Sequence, residues 1–463
     1  MKIQVLTICA LSCLAALPAM SGSARTPPPS YDGYVVAVDK ATKGAKGWKK
    51  VVNALKKKHR AKVVAFDGDR RGLDRLVAKL AKTRPMYVCF VLRPESAGRA
   101  FVKSAHEAMR RIDDDPYGDA IWGIVTGYDA ADALKVVSAP AARTIASVAT
   151  SMGGPRSLDG YDHGFASDER TADNFWVKRP GGETEKVATG GDIAKALAGA
   201  FSSIPVDYFI TSGHASERNW QIVYNQDRGT LVHTQDAKLQ FVEPGGKRRH
   251  NVSGASVKVY LGAGNCLIGH VDSRACMATA WMHSAGVEQF AGYTVPSWYG
   301  FMGWGVAGLF GEGRYSLPEA KYLTNERLLW AKRRRHPASE DRGLDYDRDV
   351  FAFYGDPKQR IAFAKDRTPY EVSVDGEKVT VRFTRTCSFA GLDDTRGAIP
   401  VMALLKAAPP GDVLFDADGR AVADSVVNER YIFIPAPGKH VGGGTLKFRI
   451  GQRSAVNAGG RRK

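Results

Sequence analysis

The sequence predicts an α/β protein built from parallel-sheet units flanked by helices and followed by a small C-terminal β-sandwich. Three observations carry that reading. Between residues 33 and 170, short apolar runs alternate with stretches of helical spacing, the pattern of a parallel sheet with helices on its faces. Two later runs, Val206 to Trp220 and Val257 to Asp272, are too apolar for strands with one wet face, and both break at glycine, as buried parallel strands do. Beyond Lys365 the helices give way to alternating short strands separated by Asp-Gly turns.

Taken in order, YVVAVD at 34–39, VVAFD at 63–67, MYVCFVL at 86–92 and AIWGIVTG at 120–127 read as strands. The helical spacings fall at Trp48 to Lys58, Leu73 to Thr83 and Ala100 to Arg111. The polar stretch from Arg156 to Thr189 is expected to hold a boundary between an N-terminal α/β domain, 33–170, and a second one, 190–360. The second opens with a helix at Ile193 to Phe201 and runs into the first buried strand. WQIVY, TLVHT and LQFVE then suggest short hairpin strands. A helix at Ala275 to His283, a strand at Gln289 to Val295, the aromatic PSWYGFMGWG, a long helix from Pro318 to about Arg334, and FAFYGDP follow. In the sandwich, 366–452, the sole helical spacing is Val401 to Lys406.

The ends read differently. Residues 1–24 carry Lys2, an apolar run from Ile3 to about Leu17 and the small residues Gly22, Ser23 and Ala24, the pattern of a cleaved secretory signal peptide. Its core is short for a membrane span, and no later segment is long and apolar enough for one. Residues 25–32, RTPPPSYD, form a proline-rich linker, and the basic tail 453–463 is expected to be disordered. A secreted or periplasmic location follows from the signal.

Composition excludes several classes. With 463 residues, 44% of them hydrophobic, the chain can bury more than one core and is not a disordered protein. Removing the signal takes Cys9 and Cys13 and leaves Cys89, Cys266, Cys276 and Cys387, too few for a disulfide framework. Cys89 reads as a buried strand cysteine and Cys276 as core or half of a bridge. The net charge of +18 implies attraction to anionic surfaces such as envelope polymers. Its basic residues lack the aromatic interleaving of a nucleic-acid groove. Asn251-Val252-Ser253 has the form of a glycosylation sequon.

The chemistry concentrates at the two buried strand ends, which deliver His214 and Cys266 although they lie 52 residues apart. In open α/β sheets ligands bind at carboxyl ends of strands. A thiol is only a few per cent ionised at neutral pH, so a nucleophilic cysteine needs an imidazole or a helix N-terminus beside it. The sequence offers both, His214 on a neighbouring strand and a helix soon after Cys266. Backbone N–H groups of Gly213, Ala215 and Cys266, with Gly264 nearby, are available as an oxyanion hole. Glu217 fits either an orienting partner of His214 or a subsite. Trp220, Asp272, Glu288 and Trp298 are further candidates for orienting or binding a substrate. His270 and Asp272 with His214 and Cys266 are permitted zinc ligands, but at none of the usual tight spacings, so no metal is expected.

The segment Gly213-His214-Ala215-Ser216-Glu217 with Trp220, the strand ending in Cys266, CMATAWMHSAGVEQFAGYTVPSW at 276–298 and FYGDP at 353–357 resemble the caspase-like clan of cysteine peptidases, most of all the gingipain-type family. The matches run in order over roughly residues 30–450, and the two strand ends are the specific ones. Ala215 stands where the family has glycine, and Gly264-Asn265 before the cysteine is a departure. The resemblance implies a caspase-like fold, a secreted cysteine endopeptidase with Cys266 as nucleophile and His214 as acid and base, no cofactor, a protein or peptide substrate, and cleavage after Arg or Lys. Such a preference calls for an acid in the specificity pocket, for which Glu217, Asp272 and Glu288 are the candidates. The contrasting expectation is a binding or scaffold protein of the cell envelope that keeps the fold without turnover, suggested by Ala215, Gly264-Asn265 and the aromatic SWYGFMGWGV.

Overall fold

The computed structural model describes residues 29–224, 226–252, 256–333, 338–388, 399–435, 439–440 and 442–452. The signal segment, most of the linker, the tail, Ser253 of the sequon and the side chain of Cys387 therefore lie outside the described residues.

The first part of the chain follows the expected alternation. Strand β1 (Ser30–Asp39) leads through a short helix α1 (Lys40–Gly44) to α2 (Trp48–His59), β2 (Lys62–Phe66), α3 (Arg70–Leu80), β3 (Pro85–Val91), α4 (Arg99–Met109), β4 (Ile121–Val125) and α5 (Ala130–Ser138). The linker is shorter than expected, because Ser30 already pairs with Pro85 at the start of β3. Helix α2 shows why the spacing was readable. It buries Trp48, Val51, Val52 and Leu55, one stripe at intervals of three and four, and ends at Arg60 in the left-handed region.

Next come β5 (Ala142–Ile145), β6 (Ser147–Thr150), β7 (His163–Asp168), β8 (Thr171–Lys178), β9 (Thr184–Lys186), α6 (Ile193–Ser203) and β10 (Tyr208–Thr211). A four-stranded antiparallel sheet follows, β11 (Asn219–Gln221), β12 (Thr230–His233), β13 (Leu239–Val242) and β14 (Arg249–Asn251), the expected hairpins plus one strand. Then β15 (Val259–Gly262), α7 (Met277–Ala285), β16 (Gln289–Tyr293), α8 (Phe301–Gly311), α9 (Leu317–Arg333), α10 (Ala338–Arg348), β17 (Phe351–Tyr354) and β18 (Arg360–Phe363) complete the α/β part.

One sheet of order β2-β1-β3-β4-β17-β16-β15-β10-β6-β7-β8-β9 gathers most of these strands. It is parallel except where β17 meets β16 and along β7-β8-β9. The stretch 156–189, expected to contain a domain boundary, instead supplies β7, β8 and β9 and extends the sheet beyond β6, itself a neighbour of β10. Its polarity is that of edge strands with a wet face. Alternation along each strand feeds two layers. Val35 and Ala37 point into a core closed by α3, α4, α6 and α7, while Val36 and Val38 pack under α2 and α5. Helices α8 and α9 cover the same side farther along.

Beyond Lys365 two small antiparallel sheets face each other. One joins Tyr370–Asp375, Lys378–Phe383, Thr445–Gly451 and Val413–Phe415, the other Val401–Leu404, Tyr431–Ile434 and Val426–Val427. They enclose Val379, Val381, Leu414, Ile432 and Ile450, the core of the expected sandwich. The helix expected at Val401 to Lys406 is a strand, because pairing Val401↔Ile434 through Leu404↔Tyr431 overrides the helical preference of Met402, Ala403, Leu404 and Leu405. The sandwich is joined firmly to the α/β part. The fully buried Arg430 donates to the carbonyls of Arg84, Pro85 and Asp119, and Trp330 Nε1 donates to Asp424 O at 2.7 Å. Among the described residues no helix is long and apolar enough to cross a membrane.

Candidate active site

Strands β10 and β15 are parallel neighbours with Thr211 opposite Gly262, so their carboxyl ends leave the sheet side by side. After β10 the chain turns at Gly213, whose φ of +95° suits a residue without Cβ, and presents His214. After β15 it runs through Ala263, Gly264 and Asn265 to Cys266. The ends are tied together by Asn265, which is fully buried. Its Nδ2 donates to Gly213 O at 3.0 Å, and its Oδ1 accepts from Thr211 Oγ1 at 2.6 Å. Thr211 Oγ1 also lies 2.7 Å from the hydroxyl of Tyr260 on β15. The Gly264-Asn265 pair, without assigned purpose in the sequence, thus supplies the amide that fixes the register of the two loops.

His214 is exposed, and its ring stacks on Tyr224, centroids 4.3 Å apart and planes 14° off parallel. Cys266 is half-buried. Among the described residues the imidazole and the thiol are not within hydrogen-bond distance of each other. The sulfur instead accepts the N–H of Ser297 at 3.3 Å and lies 3.5 Å from its Oγ. The backbone N–H groups of Gly213, Ala215 and Cys266 have no acceptor among the described residues, so they are free for a ligand. The helix expected to support Cys266 does not point at it. Its N-cap is Cys276, and the N–H of Met277 is taken by Glu217 O.

The other predicted residues separate into those at the rim and those elsewhere. Trp298, 76% exposed, follows Ser297 directly. Glu217 and Asp272 stand on the two loops, and Asp272 pairs with Arg218, which also donates to Ala275 O. Trp220 is fully buried with its Nε1 on Ser212 O at 2.8 Å, so it braces the His214 loop and cannot touch a substrate. Glu288 is not at the site. It precedes β16 at the opposite end of the sheet, held by Arg143 at 2.9 Å and Gln359 at 2.6 Å, because the acid sits before the strand and the site lies after it. Cys276 is a buried free thiol, as is Cys89, so the bridge left open for Cys276 is not formed. Nor do His214, Cys266, His270 and Asp272 converge. The clusters of ligating side chains among the described residues are Asp192 with Glu243 and His250, and Asp113 with Asp119 and Glu429.

Two functional candidates were missed. Ser297 is one, and Glu169 is the other. Glu169 follows β7, and its N–H binds Ser151 O while its carbonyl accepts the N–H of Tyr224 at 2.6 Å. It therefore stands against the Tyr224 that carries the His214 ring, with Ser212 also beside its carboxyl. Burial raises its pKa, and its Oε2 is buried with no partner among the described residues. A strand-like run ending in an acid, HGFASDE at 163–169, was the available signal.

No protein-family model matches the chain, and no curated protein matches it. Among solved structures it is similar to the Arg-specific cysteine proteinase gingipain R. That match covers 92% of this chain and 100% of the other at 12% identity and a TM-score of 0.45. It is also similar to a structure described as a protease, over 90% of this chain and 95% of the other, at 10% identity and a TM-score of 0.45.

Proposed function

We propose that the chain is a cysteine endopeptidase with Cys266 as nucleophile and His214 as acid and base. The observation that carries the reading is the Asn265–Gly213 hydrogen bond, which joins the residue before the thiol to the residue before the imidazole. In this reading the Cys266 thiolate adds to the scissile carbonyl, and the free N–H groups at Gly213, Ala215 and Cys266 receive the oxyanion. His214 gives its proton to the leaving amine, and water activated by the same imidazole then hydrolyses the thioester. We further propose cleavage after Arg or Lys, with Glu169 in place of the acids considered from sequence. A buried carboxylate oxygen without a partner is costly until a cation fills the space beside it. From its first 24 residues alone we propose that the protein is secreted, and from its +18 charge that anionic surfaces attract it.

The test pairs labelling with turnover. Iodoacetamide or a peptidyl fluoromethylketone should label Cys266, and Cys266→Ala should abolish cleavage of an Arg-containing peptide mixture. Labelling at Cys387 but never at Cys266 would overturn the assignment.

A binding protein without turnover is the second reading. It is favoured by the absence of a thiol–imidazole hydrogen bond and by the exposure of Tyr224, Trp298 and Tyr299 around the site. It predicts that folded wild type and Cys266→Ala bind peptides equally and cleave none.

A further inference from the structure

The sulfur of Cys266 lies against Ser297, and the loop that carries Ser297 is built to stay there. Leu267, directly after the cysteine, adopts φ +59°, a left-handed conformation costly for a side chain with a Cβ. It is held by its N–H on Val295 O at 3.1 Å, and Gly269 N–H binds Tyr293 O at 2.8 Å. Pro296 O in turn accepts the Tyr346 hydroxyl at 2.9 Å. The cysteine loop and residues 293–297 are therefore laced together, with the sulfur at the end of the lacing.

Resting on the peptidase reading, we propose that Ser297 is a positioning residue that stabilises the Cys266 thiolate. Its N–H already donates to the sulfur at 3.3 Å. Its hydroxyl has two neighbours, Gly264 O at 2.9 Å and the sulfur at 3.5 Å. While the cysteine is a thiol, the hydroxyl donates to Gly264 O and can accept the S–H. When the thiol proton leaves for the buffer, the hydroxyl hydrogen rotates from Gly264 O to the sulfur, and the anion gains a second donor. Donors to a charged acceptor are the stronger kind, and this pair replaces the helix N-terminus that does not point at Cys266. The titratable group that faces the sulfur is Tyr346 from α10, which Asp347, Arg99 and Tyr299 also reach electrostatically, and His214 stands on the neighbouring loop at the end of β10. Changing Ser297 leaves all of them in place.

The test is the pH–rate profile of Cys266 carboxymethylation by iodoacetamide, read by peptide mapping on wild type, Ser297→Ala, Ser297→Gly and Ser297→Thr. Ser297→Ala and Ser297→Gly should shift the midpoint to higher pH, so that labelling at pH 7 slows about three- to tenfold while the high-pH plateau is unchanged. Ser297→Thr should restore the wild-type profile. If one of the two deletion variants fails to fold, the other still reads the loss of the hydroxyl. An unmoved midpoint in a folded deletion variant would overturn the proposal, as would a plateau that falls with it. The alkylation readout does not depend on turnover. An unmoved midpoint in a protein that cleaves peptides through Cys266 would remove the role of Ser297 and leave the peptidase reading standing. A moved midpoint in a protein that cleaves nothing would do the reverse.

Discussion

Asn265 Nδ2 donates to Gly213 O at 3.0 Å across two parallel strand ends, so one buried side chain sets the distance between the loop of His214 and the loop of Cys266. Replacing it with alanine leaves Thr211 Oγ1 and Gly213 O without their buried partner. We expect Asn265→Ala to lose about 1–3 kcal/mol of stability, measured by urea unfolding. The loops should also drift apart, with peptide hydrolysis falling by at least roughly tenfold, since small misplacements of reacting groups have large rate effects.

Glu169 supplies the second prediction. Glu169→Gln should reduce kcat/KM for peptides with Arg or Lys at the cleaved position by roughly 10–100-fold and leave peptides with an uncharged residue there nearly unaffected. Burial raises the pKa of Glu169, so its protonation as pH falls should weaken the same preference at a higher pH than an ordinary carboxylate would. A pair of fluorogenic substrates differing only at that position measures both effects.

The stack of His214 on Tyr224 gives a third. Tyr224→Phe keeps the ring face and should be close to neutral. Tyr224→Ala removes a stacking contact worth about 0.5–1.5 kcal/mol and should lower kcat about two- to tenfold with little change in thermal stability, because Tyr224 is 44% exposed.

Much of this architecture was legible in the sequence, for reasons that differ by element. The strands and amphipathic helices from β1 to β4 follow from local periodicity, and α2 and α3 each show a complete buried stripe. Helix α8 was not legible, because Gly303, Gly305 and Gly308 argue against a helix. In the structure the lack of a side chain at Gly303 is what admits the helix onto Ala263 O beside the cysteine strand. His214 and Cys266 announced themselves by ending apolar runs at glycine. Asn265, Ser297 and Glu169 act through contacts with segments distant in the chain, and Ser297 meets its cysteine from 31 residues away. Residue spacing carries no trace of such meetings. Glu288 shows the converse, a candidate close in sequence to the site's helix and strand that the direction of β16 puts at the wrong end.

Glu326 provides the pH prediction. It is buried, accepts the N–H of Gly118 at 2.8 Å, and burial pushes its pKa up to about 7. A folded pKa above the unfolded one means the fold favours the protonated acid. Its stabilising contribution is full below the ordinary glutamate range and is lost as pH rises through about 7. Glu326→Gln keeps an acceptor and cannot ionise. The variant should therefore gain on wild type between pH 5 and pH 8 by on the order of 2 kcal/mol in urea titrations. The buried Lys321, whose pKa burial depresses while the Glu326 charge raises it, carries the opposite trend and responds to the substitution, so Lys321→Met and the double variant are titrated beside it.

Arg430 makes the sandwich more than an appendage. A guanidinium with no solvent exposure, satisfied by three main-chain carbonyls on the far side of a boundary, works as a rivet. Cutting the chain after Lys365 would strand those carbonyls, along with the indole of Trp330. Heat should accordingly melt the two parts in one endotherm rather than two, and a chain shortened to end at Lys365 should not fold as a smaller stable unit.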